Sequence, residues 1–411
     1  MSEETDRRVG LVRCADYDRE AVERATRRCL DLLGGMGAFV QPGQRVLLKP
    51  NLVRAMSPDR AVTTHPAVVA AVARLVREAG GHPIIADSPG GPYSAAILRL
   101  TYRKTGMDQA AAWGEAELNY NAESTQVSYA EGLTLRRLDI IQALLDADVV
   151  INLPKLKTHN LTTLTVAVKN LFGLVPGSVK IGYHAKLQEN WRFCEGLIDL
   201  LTYVKPALHI VDAVVGMEGN GPSGGDPRPI GALLAGADAL AVDVAAAALV
   251  DIPPLDVPTT RAAAQRGLTT GRLEDIVLLG DPLAELRVPG FRRGAASAVD
   301  PGLLPMALLR LLTGSGRENG QSNGHHSLPR MARDWLGHQL VMAPKAGKKC
   351  IGCGYCVKHC PVGAIQVVDG LAHMDTNKCI RCYCCHELCP ELAVELKRPW
   401  LGRLFMGNQA T

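Results

Sequence analysis

The sequence is poor in aromatic residues and has no strong excess of either charge. Phe, Trp and Tyr make up 4% of the 411 residues, and 45 Lys and Arg stand against 41 Asp and Glu. Single-strand-binding proteins need aromatic platforms, and nucleic-acid surfaces need a clear basic excess. Neither class is predicted, so any basic binding site must be local.

Long uninterrupted apolar runs are also missing. The most apolar stretch, residues 230–250, contains Asp238 and Asp243, and a carboxylate at the centre of a bilayer is costly. We interpret this stretch as a strand followed by a buried helix, and we predict no membrane span. The N-terminal segment lacks the apolar centre of a secretory signal, which favours a cytoplasmic location.

Two nucleotide-binding fingerprints are absent. No G-x-G-x-x-G follows a predicted strand, and no G-x-x-x-x-G-K-[ST] occurs. Classical dinucleotide and P-loop sites are therefore not predicted. Flavin stays an option, because flavin sites often leave no short motif.

Cysteine, by contrast, is abundant and crowded. Of the 12 Cys, all but Cys14, Cys29 and Cys194 lie between Cys350 and Cys389. A disulfide framework would spread along a small secreted chain, whereas this crowding in a large protein indicates metal or cluster ligation in a reducing compartment.

The crowded segment is an internal repeat. CIGCGYCVKHCP (350–361) and CIRCYCCHELCP (379–390) each contain C-x-x-C-x-x-C-x-x-x-C-P, and the ligand positions are 29 residues apart. In bacterial two-cluster ferredoxins, three close thiolates hold one 4Fe-4S cluster and the fourth Cys crosses to the other. The spacing thus predicts two [4Fe-4S] clusters rather than the alternative of two zinc sites, which do not require a shared fourth Cys.

Two ligand sets follow from this crossing. The first set is Cys350, Cys353, Cys356 and Cys389, and the second set is Cys379, Cys382, Cys385 and Cys360. Cys384 is surplus to the pattern and is interpreted as a packing thiol.

The rest of the chain alternates apolar runs with amphipathic patterns, which is typical of an α/β layered domain with a mostly parallel sheet. Strands are predicted at 9–14, 45–50, 146–154 and 207–216, a strand followed by a tight Gly-rich loop at 83–91, and a helix at 18–33. We predict an α/β domain over 1–310, a linker over 311–347, a small ferredoxin-like α+β iron–sulfur domain over 348–398 and a tail over 399–411.

Polar residues follow several predicted strands. In open α/β sheets ligands bind beyond the carboxyl ends of strands, so loops at Lys49, Asp87, Lys155 and Asp212 are expected to converge. Asp87 is alternatively a helix cap. Thr64 and Asp238 are also predicted as helix N-caps.

A cluster of cationic and amide side chains predicts a site for a small anionic substrate. Its members are Lys49, Asn51, Lys155, Lys157, Lys169, Asn170 and Asn220. Gly-rich turns at 88–91 and 219–221 are expected to add exposed backbone N–H groups. The alternative is that these lysines only solvate surface loops.

Four residues are candidates for catalysis. His159, His184 and Lys155 could deliver a proton to a reduced substrate, and Glu218 lies in a Gly-rich loop where an acid, a base or a metal ligand would be accessible. For both histidines a structural hydrogen bond is the alternative.

Five motifs carry a family resemblance. They are VLLKPNLV (46–53), IIADSPGG (84–91), INLPKLKTH (151–159), VAVKNLFGLVPG (166–177) and DAVVGMEGNGPSGGDP (212–227). Together they resemble the domain of unknown function 362 family, an α/β domain that often carries a ferredoxin-like C-terminal segment. The segment over 348–398 resembles a bacterial-type 2[4Fe-4S] ferredoxin domain. The resemblance implies a fold and a redox context more than a reaction.

These observations predict an iron–sulfur oxidoreductase that relays single electrons from a ferredoxin, flavodoxin or reductase to a substrate in the α/β domain. The alternative is an electron-transfer or assembly protein whose large domain docks a partner enzyme. A third interpretation is a non-redox enzyme with structural or regulatory clusters.

Overall fold

Apolar strands and amphipathic helices alternate along the first two thirds of the chain, as predicted. The computed structural model describes residues 6–294 and 341–398. The chain divides into two units, Met1–Arg293 and Gly294–Thr411, which we call the α/β unit and the cluster unit.

The strands of the α/β unit are β1 (Arg8–Arg13), β2 (Arg45–Pro50), β3 (His82–Ile85), β4 (Glu117–Leu118), β5 (Ser124–Ser128), β6 (Arg137–Ile141), β7 (Val149–Leu153), β8 (Lys155–His159), β9 (Thr163–Thr165), β10 (Leu208–Glu218), β11 (Asp226–Gly236) and β12 (Val277–Gly280). Its helices are α1 (Arg19–Asp31), α2 (Pro66–Glu78), α3 (Ala95–Thr105), α4 (Met107–Gly114), α5 (Gln142–Leu145), α6 (Ala167–Asn170), α7 (Gly177–Lys186), α8 (Asn190–Val204), α9 (Ala239–Leu249), α10 (Pro258–Gln265) and α11 (Leu283–Leu286).

Ten of these strands form one sheet. Its order is β12-β1-β11-β10-β7-β2-β3-β4, and β8 pairs with both β10 and β9. Most pairs are parallel, which confirms the predicted fold class, but β11 runs antiparallel to both β1 and β10. The remaining strands β5 and β6 form a separate antiparallel pair.

Both faces of the sheet are covered. Along β2, Val46 and Leu48 belong to one buried apolar cluster and Leu47 to another. Because successive side chains of a strand point to opposite faces, the two clusters lie on the two sides of the sheet. The stretch 230–250 is the end of β11 followed by the buried helix α9, as predicted.

The predicted helix caps have mixed outcomes. The carboxylate of Asp238 accepts the Leu240 N–H and caps α9, as predicted. The prediction that Thr64 caps α2 is wrong. The His65 side chain accepts the Ala67 N–H at this end of the helix, and the Thr64 hydroxyl donates to Leu153 O. Within the described residues, no helix combines the length and apolar character that crossing a bilayer requires.

The cluster unit contains β13 (Ala343–Ala346), α12 (Tyr355–Lys358), β14 (Ile365–Val368), β15 (Leu371–Met374), α13 (Cys384–Leu388) and β16 (Val394–Lys397). β13 pairs with β16, and β14 pairs with β15, both antiparallel. The 29-residue repeat is therefore structural, since α12 and β14 recur as α13 and β16. Strand β13, which pairs with β16, begins before the domain start predicted at residue 348. Residues 311–340 of the predicted linker and the tail 399–411 lie outside the described residues.

Backbone geometry repeats as well. Gly352 and Gly354 have φ of 63° and 71°, and their counterparts Arg381 and Tyr383 have φ of 57° and 59°. The left-handed region suits glycine but strains a residue with a Cβ atom, at about 1–2 kcal/mol each. The second copy thus holds strained residues where the first has glycine.

Candidate functional site

Each four-thiol set of the cluster unit surrounds one cavity. Cys350, Cys353, Cys356 and Cys389 line a cavity with about 340 Å³ of empty space. Cys379, Cys382, Cys385 and Cys360 line a second cavity of about 340 Å³. All eight are free thiols, and the fourth Cys of each copy lies at the cavity of the other, in the arrangement that the spacing predicts.

The grouping of the thiols at these sites suits a cluster better than one ion. A tetrahedral zinc site has Zn–S bonds of about 2.3 Å and so brings its sulfurs to about 3.8 Å from one another. Among the described residues no three His, Cys, Asp or Glu side chains converge in a way that could hold one metal ion. Four thiols around an open volume fit a cubane of four irons.

Backbone amides already point at three of the sulfurs. Ala364 N donates to Cys360 Sγ at 3.2 Å, Ala393 N donates to Cys389 Sγ at 3.2 Å, and Ala372 N donates to Cys350 Sγ at 3.5 Å. Such N–H groups stabilise the charge of ligating thiolates and tune cluster potentials. The residues present therefore fit two [4Fe-4S] clusters.

Cys384 lines the second cavity beside the four thiols of that set. It is buried, and a hydrogen bond to Cys382, together with burial, raises the pKa of its thiol well above the usual value. A neutral thiol at this place is compatible with the predicted packing role.

In the α/β unit, Lys49 lies at the carboxyl end of β2 and is fully buried. Its Nζ donates to Asp87 Oδ1 at 2.8 Å, to Pro50 O at 2.8 Å and to Asn170 Oδ1 at 3.4 Å. Burial lowers the pKa of Lys49, and the Asp87 carboxylate opposes that effect. Asp87 also accepts the Leu52 N–H, so it caps this loop and not a following helix.

Lys155 forms a second buried ion pair at the same edge of the sheet. Its Nζ donates to Asp212 Oδ2 at 2.9 Å and to Tyr17 Oη at 2.6 Å. Tyr17 Oη in turn donates to Asp212 Oδ1 at 2.8 Å. Burial lowers the pKa of Lys155, with Asp212 opposing. The four loops predicted to converge thus meet as two Lys–Asp pairs.

Asparagines connect this edge of the sheet. Lys157 Nζ donates to Asn51 Oδ1 at 2.7 Å, and Asn51 Nδ2 donates to Asn170 Oδ1 at 2.7 Å. Asn170 also accepts from Lys49 and donates to Asn152 Oδ1 at 2.8 Å. Lys49, Lys157, Asn51 and Asn170 therefore form one buried hydrogen-bonded network.

The other predicted binding residues, Lys169 and Asn220, make further contacts. Lys169 Nζ lies over the rings of Phe172 and Phe193, 4.7 and 5.7 Å from their centroids. Asn220 is half-buried in the turn after β10, where its carbonyl accepts the Gly224 N–H.

The Gly-rich turns use their N–H groups internally. Ser88 N donates to Gly173 O and Gly90 N donates to Val53 O. In the second turn Gly219 N donates to Arg292 O. The expected anion cradle of exposed amides is therefore wrong at these positions.

The two candidate histidines are buried and differ in their surroundings. His159 Nδ1 accepts the Leu161 N–H at 3.0 Å, which places the ring proton of the neutral form on Nε2. His184 stacks on Phe193 at 4.6 Å, and burial, with Lys169 and Lys180 adding, lowers its pKa to about 3. At neutral pH His184 is therefore uncharged.

Glu218 is held in an ion pair. Its carboxylate accepts from Arg292 Nε at 2.9 Å and from the Arg292 N–H at 3.1 Å, and Arg292 also pairs with Asp226. The interpretation as an accessible acid, base or metal ligand is not supported by this geometry, which the sequence could not reveal because Arg292 is 74 residues away.

Sequence reasoning missed two residues that complete the site. The Tyr17 ring stacks on the His65 imidazole with centroids 3.6 Å apart. The His65 N–H also donates to Asp212 Oδ2 at 2.9 Å, and burial lowers the pKa of His65 to about 4, with Asp212 opposing and Lys155 adding. Tyr17 follows the predicted strand 9–14 and His65 follows the predicted cap Thr64, but nothing in the sequence marks either residue as a partner of Asp212.

Comparisons with known proteins agree with both units. A family model described as a domain of unknown function (DUF362) matches residues 46–248, and a 4Fe-4S dicluster domain model matches residues 344–390. A thylakoid-associated protein of Synechocystis sp. is 39% identical over 275 residues, which cover 67% of this chain and 84% of that protein.

A solved structure gives a weaker likeness. The lactate racemase apoprotein from Thermoanaerobacterium thermosaccharolyticum aligns with a TM-score of 0.35 and 15% identity. The alignment covers 57% of this chain and 55% of that structure, so the chain spans about half of its length. A likeness of this size says nothing about fold or activity.

Proposed function

Because the chain belongs to the DUF362 family and carries a 4Fe-4S dicluster domain, we propose that it is an iron–sulfur oxidoreductase acting on a small anionic substrate. The observation that carries this proposal is the pair of cavities, each lined by one crossed four-thiol set. When bound, the clusters supply single-electron transfer.

The cluster unit's own residues hold and tune the clusters. The eight thiols act as ligands, and the amides of Ala364, Ala372 and Ala393 stabilise thiolate charge. Two one-electron centres in one chain suit a two-electron reduction.

The α/β unit supplies a positive field for the substrate. After burial, Lys169 and Lys180 add to the lowering of the His184 pKa. The two lysines near His184 therefore favour binding of an anion at that place. The Nε2–H of His159 or His65 is the hydrogen-bond donor that this unit would offer to the substrate.

The test uses the full chain loaded with iron and sulfide under anaerobic conditions. Dithionite should reduce the clusters, and addition of low-mass anionic fractions of the native extract should reoxidise them. Lys169→Met should slow that reoxidation at least tenfold, whereas Lys186→Met on the exposed end of α7 should leave it unchanged. A chain that accepts electrons and passes them to no fraction contradicts the enzymatic half.

One observation favours a second candidate, an electron-transfer protein whose large unit docks a partner enzyme. Lys49 and Lys155 are each matched by a buried aspartate, so their charges already have internal partners. On this alternative both lysines stabilise the fold and no small anion binds. Equilibrium dialysis of the anionic fraction that reoxidises the clusters, against the wild type and Lys169→Met, separates the two.

The location is also proposed. The cysteine usage favours a cytoplasmic protein, and the relative is named as thylakoid-associated. We propose a cytoplasmic protein that contacts a membrane surface, and separation of membrane and cytosolic fractions at low and high salt tests this.

A further inference from the structure

The two cluster cavities are related by the 29-residue repeat, but their surroundings differ. Ile351 and Ile380 each follow the first Cys of their copy. Each lines the cavity of its own copy, but Ile351 is 66% exposed whereas Ile380 is half-buried.

Two further repeat positions show the same difference. Leu371 is 44% exposed and its counterpart Met342 is 2% exposed. Val367 is 40% exposed and its counterpart Leu396 is 8% exposed. Apolar side chains are thus covered around the second cavity and open to solvent around the first.

The open side chains are neighbours. The backbone of Gly352 packs against Gly370, which places Ile351 beside the turn between β14 and β15. Val368 pairs with Leu371 across the hairpin, and we call Ile351, Val368 and Leu371 the apolar face. An apolar surface next to a functional centre indicates a place where another molecule binds.

The charged residues around the apolar face indicate which kind of molecule binds there. Lys348 and Lys349 are exposed and precede Cys350, and Lys358 is exposed at the end of α12. Asp369 lies within the apolar face and the exposed Glu391 lines the first cavity, so three lysines stand against two carboxylates. A basic rim around an apolar centre fits an acidic protein surface.

This face also lies beside the ligand set that is nearest to solvent. Cys353 of the first set is exposed, whereas the thiols of the second set are half-buried or buried. Electron transfer between proteins requires the two centres to come close, so the first set is the better contact point.

We propose that the apolar face and its lysine rim dock an acidic electron-transfer protein that reduces the first cluster. The proposal rests on the proposed function, since it requires a cluster in the first cavity. One electron leaves the donor and one enters the cluster, and no bond forms or breaks.

The experiment uses the cluster-loaded full chain and a reduced acidic flavodoxin as the donor in stopped-flow mixing. Lys349→Glu is compared with Lys378→Glu, because each lysine precedes the first Cys of its copy and both changes alter net charge equally. Lys349→Glu should slow reduction about tenfold at low salt, and Lys378→Glu should stay within twofold of the wild type. Equal effects of the two variants, or no effect of either, would overturn the proposal.

Further measurements separate the remaining outcomes. The wild-type rate should fall as salt is added, and a rate that rises with salt contradicts an acidic partner. Ile351→Glu should lose flavodoxin reduction and retain reduction by dithionite. If dithionite reduces neither the wild type nor any of the variants, the proposed function itself is contradicted. Sedimentation of the wild type as a dimer and of Ile351→Glu as a monomer would show that the apolar face binds a second copy of the chain. That result would overturn the proposal.

Discussion

The ring of Tyr17 lies parallel to the imidazole of His65, with an interplanar angle of 11° and centroids 3.6 Å apart. Tyr17 comes from the loop between β1 and α1, and His65 precedes α2. The pair closes over the Lys155–Asp212 ion pair, so two loops far apart in sequence complete one buried polar site.

Tyr17→Phe tests the hydroxyl at this site. The change removes hydrogen bonds to Asp212 and from Lys155 and the Val215 N–H, while the stacked ring stays. Because Lys155 loses a partner in a buried place, we expect the free energy of unfolding to fall by about 1–3 kcal/mol in urea titrations. Tyr120→Phe, on a partly exposed ring, is the control and should change it by less than about 0.5 kcal/mol.

Gly173→Ala tests the close cover over the Lys49–Asp87 pair. A Cβ atom at Gly173 would overlap Asp87 Oδ1 and Lys49 Nζ. Separating a buried pair leaves charges without compensation, so we expect a loss of about 3–5 kcal/mol or failure to fold. Gly182→Ala is the matched control, because its Cβ would meet nothing within 4 Å. Equal melting temperatures for the two variants would refute this account.

A double variant tests the crossed ligand sets. Cys360→Ala and Cys379→Ala should each remove one cluster. Because both residues belong to the second set, the double variant should lose the same single cluster as either single variant. All three should then retain about four of the eight irons. Uncrossed sets predict instead that the double variant loses both clusters. Cys384→Ala should retain about eight irons, and iron and acid-labile sulfide assays measure every case.

The buried carboxyl group of Asp243 should make a contribution to the free energy of unfolding that falls as pH rises. Burial raises its pKa from 3.8 to about 7, although the N–H groups of Ala167 and Val168 oppose this. The folded state therefore keeps the proton that the unfolded state releases, and stability is lost between about pH 4 and 7, by at most about 4 kcal/mol. His184 and His209, with pKa lowered to about 3, act in the opposite direction below about pH 6.5.

The contribution of Asp243 is obtained by subtracting the free energy of unfolding of Asp243→Asn from that of the wild type. Asp243→Asn keeps an oxygen acceptor for Ala167 N and cannot titrate. The wild type minus variant free energy of unfolding should therefore decrease from pH 4 to pH 7 and be constant above it. A flat difference curve would mean that Asp243 titrates at its ordinary pKa. Asp238→Asn at the N-cap of α9 is the comparison variant.

The sequence allowed much of the fold to be predicted because its signals are local. Strand β2 lies at 45–50 as predicted, and α1 begins at Arg19 after the Asp18 cap. The antiparallel course of β11 was missed, since strand direction depends on partners far along the chain. The segment 83–91 is a strand followed by a Gly-rich loop, as predicted, and the strand ends at Ile85 before Ser88 and Gly90 bond to other loops.

The cluster sites were more predictable than the lysine site for the same reason. The thiol spacing states which side chains must meet, and the structure groups them in those two sets. Lys49 and Asn51 gave only a residue type and a place at a strand end. Their partners Asp87 and Asn170 lie 38 and 119 residues away, so the pairing is a tertiary property.

Arg381 and Tyr383 have left-handed backbone conformations where the first half has glycine, so the two halves of the cluster unit differ in backbone strain. A chimera carrying the first half twice would have glycine at these positions and would relax the backbone strain. It would also lose the guanidinium and hydroxyl that hold Met342 O. The second half therefore carries conformational strain at the two residues that anchor Met342, just before the first strand of the unit.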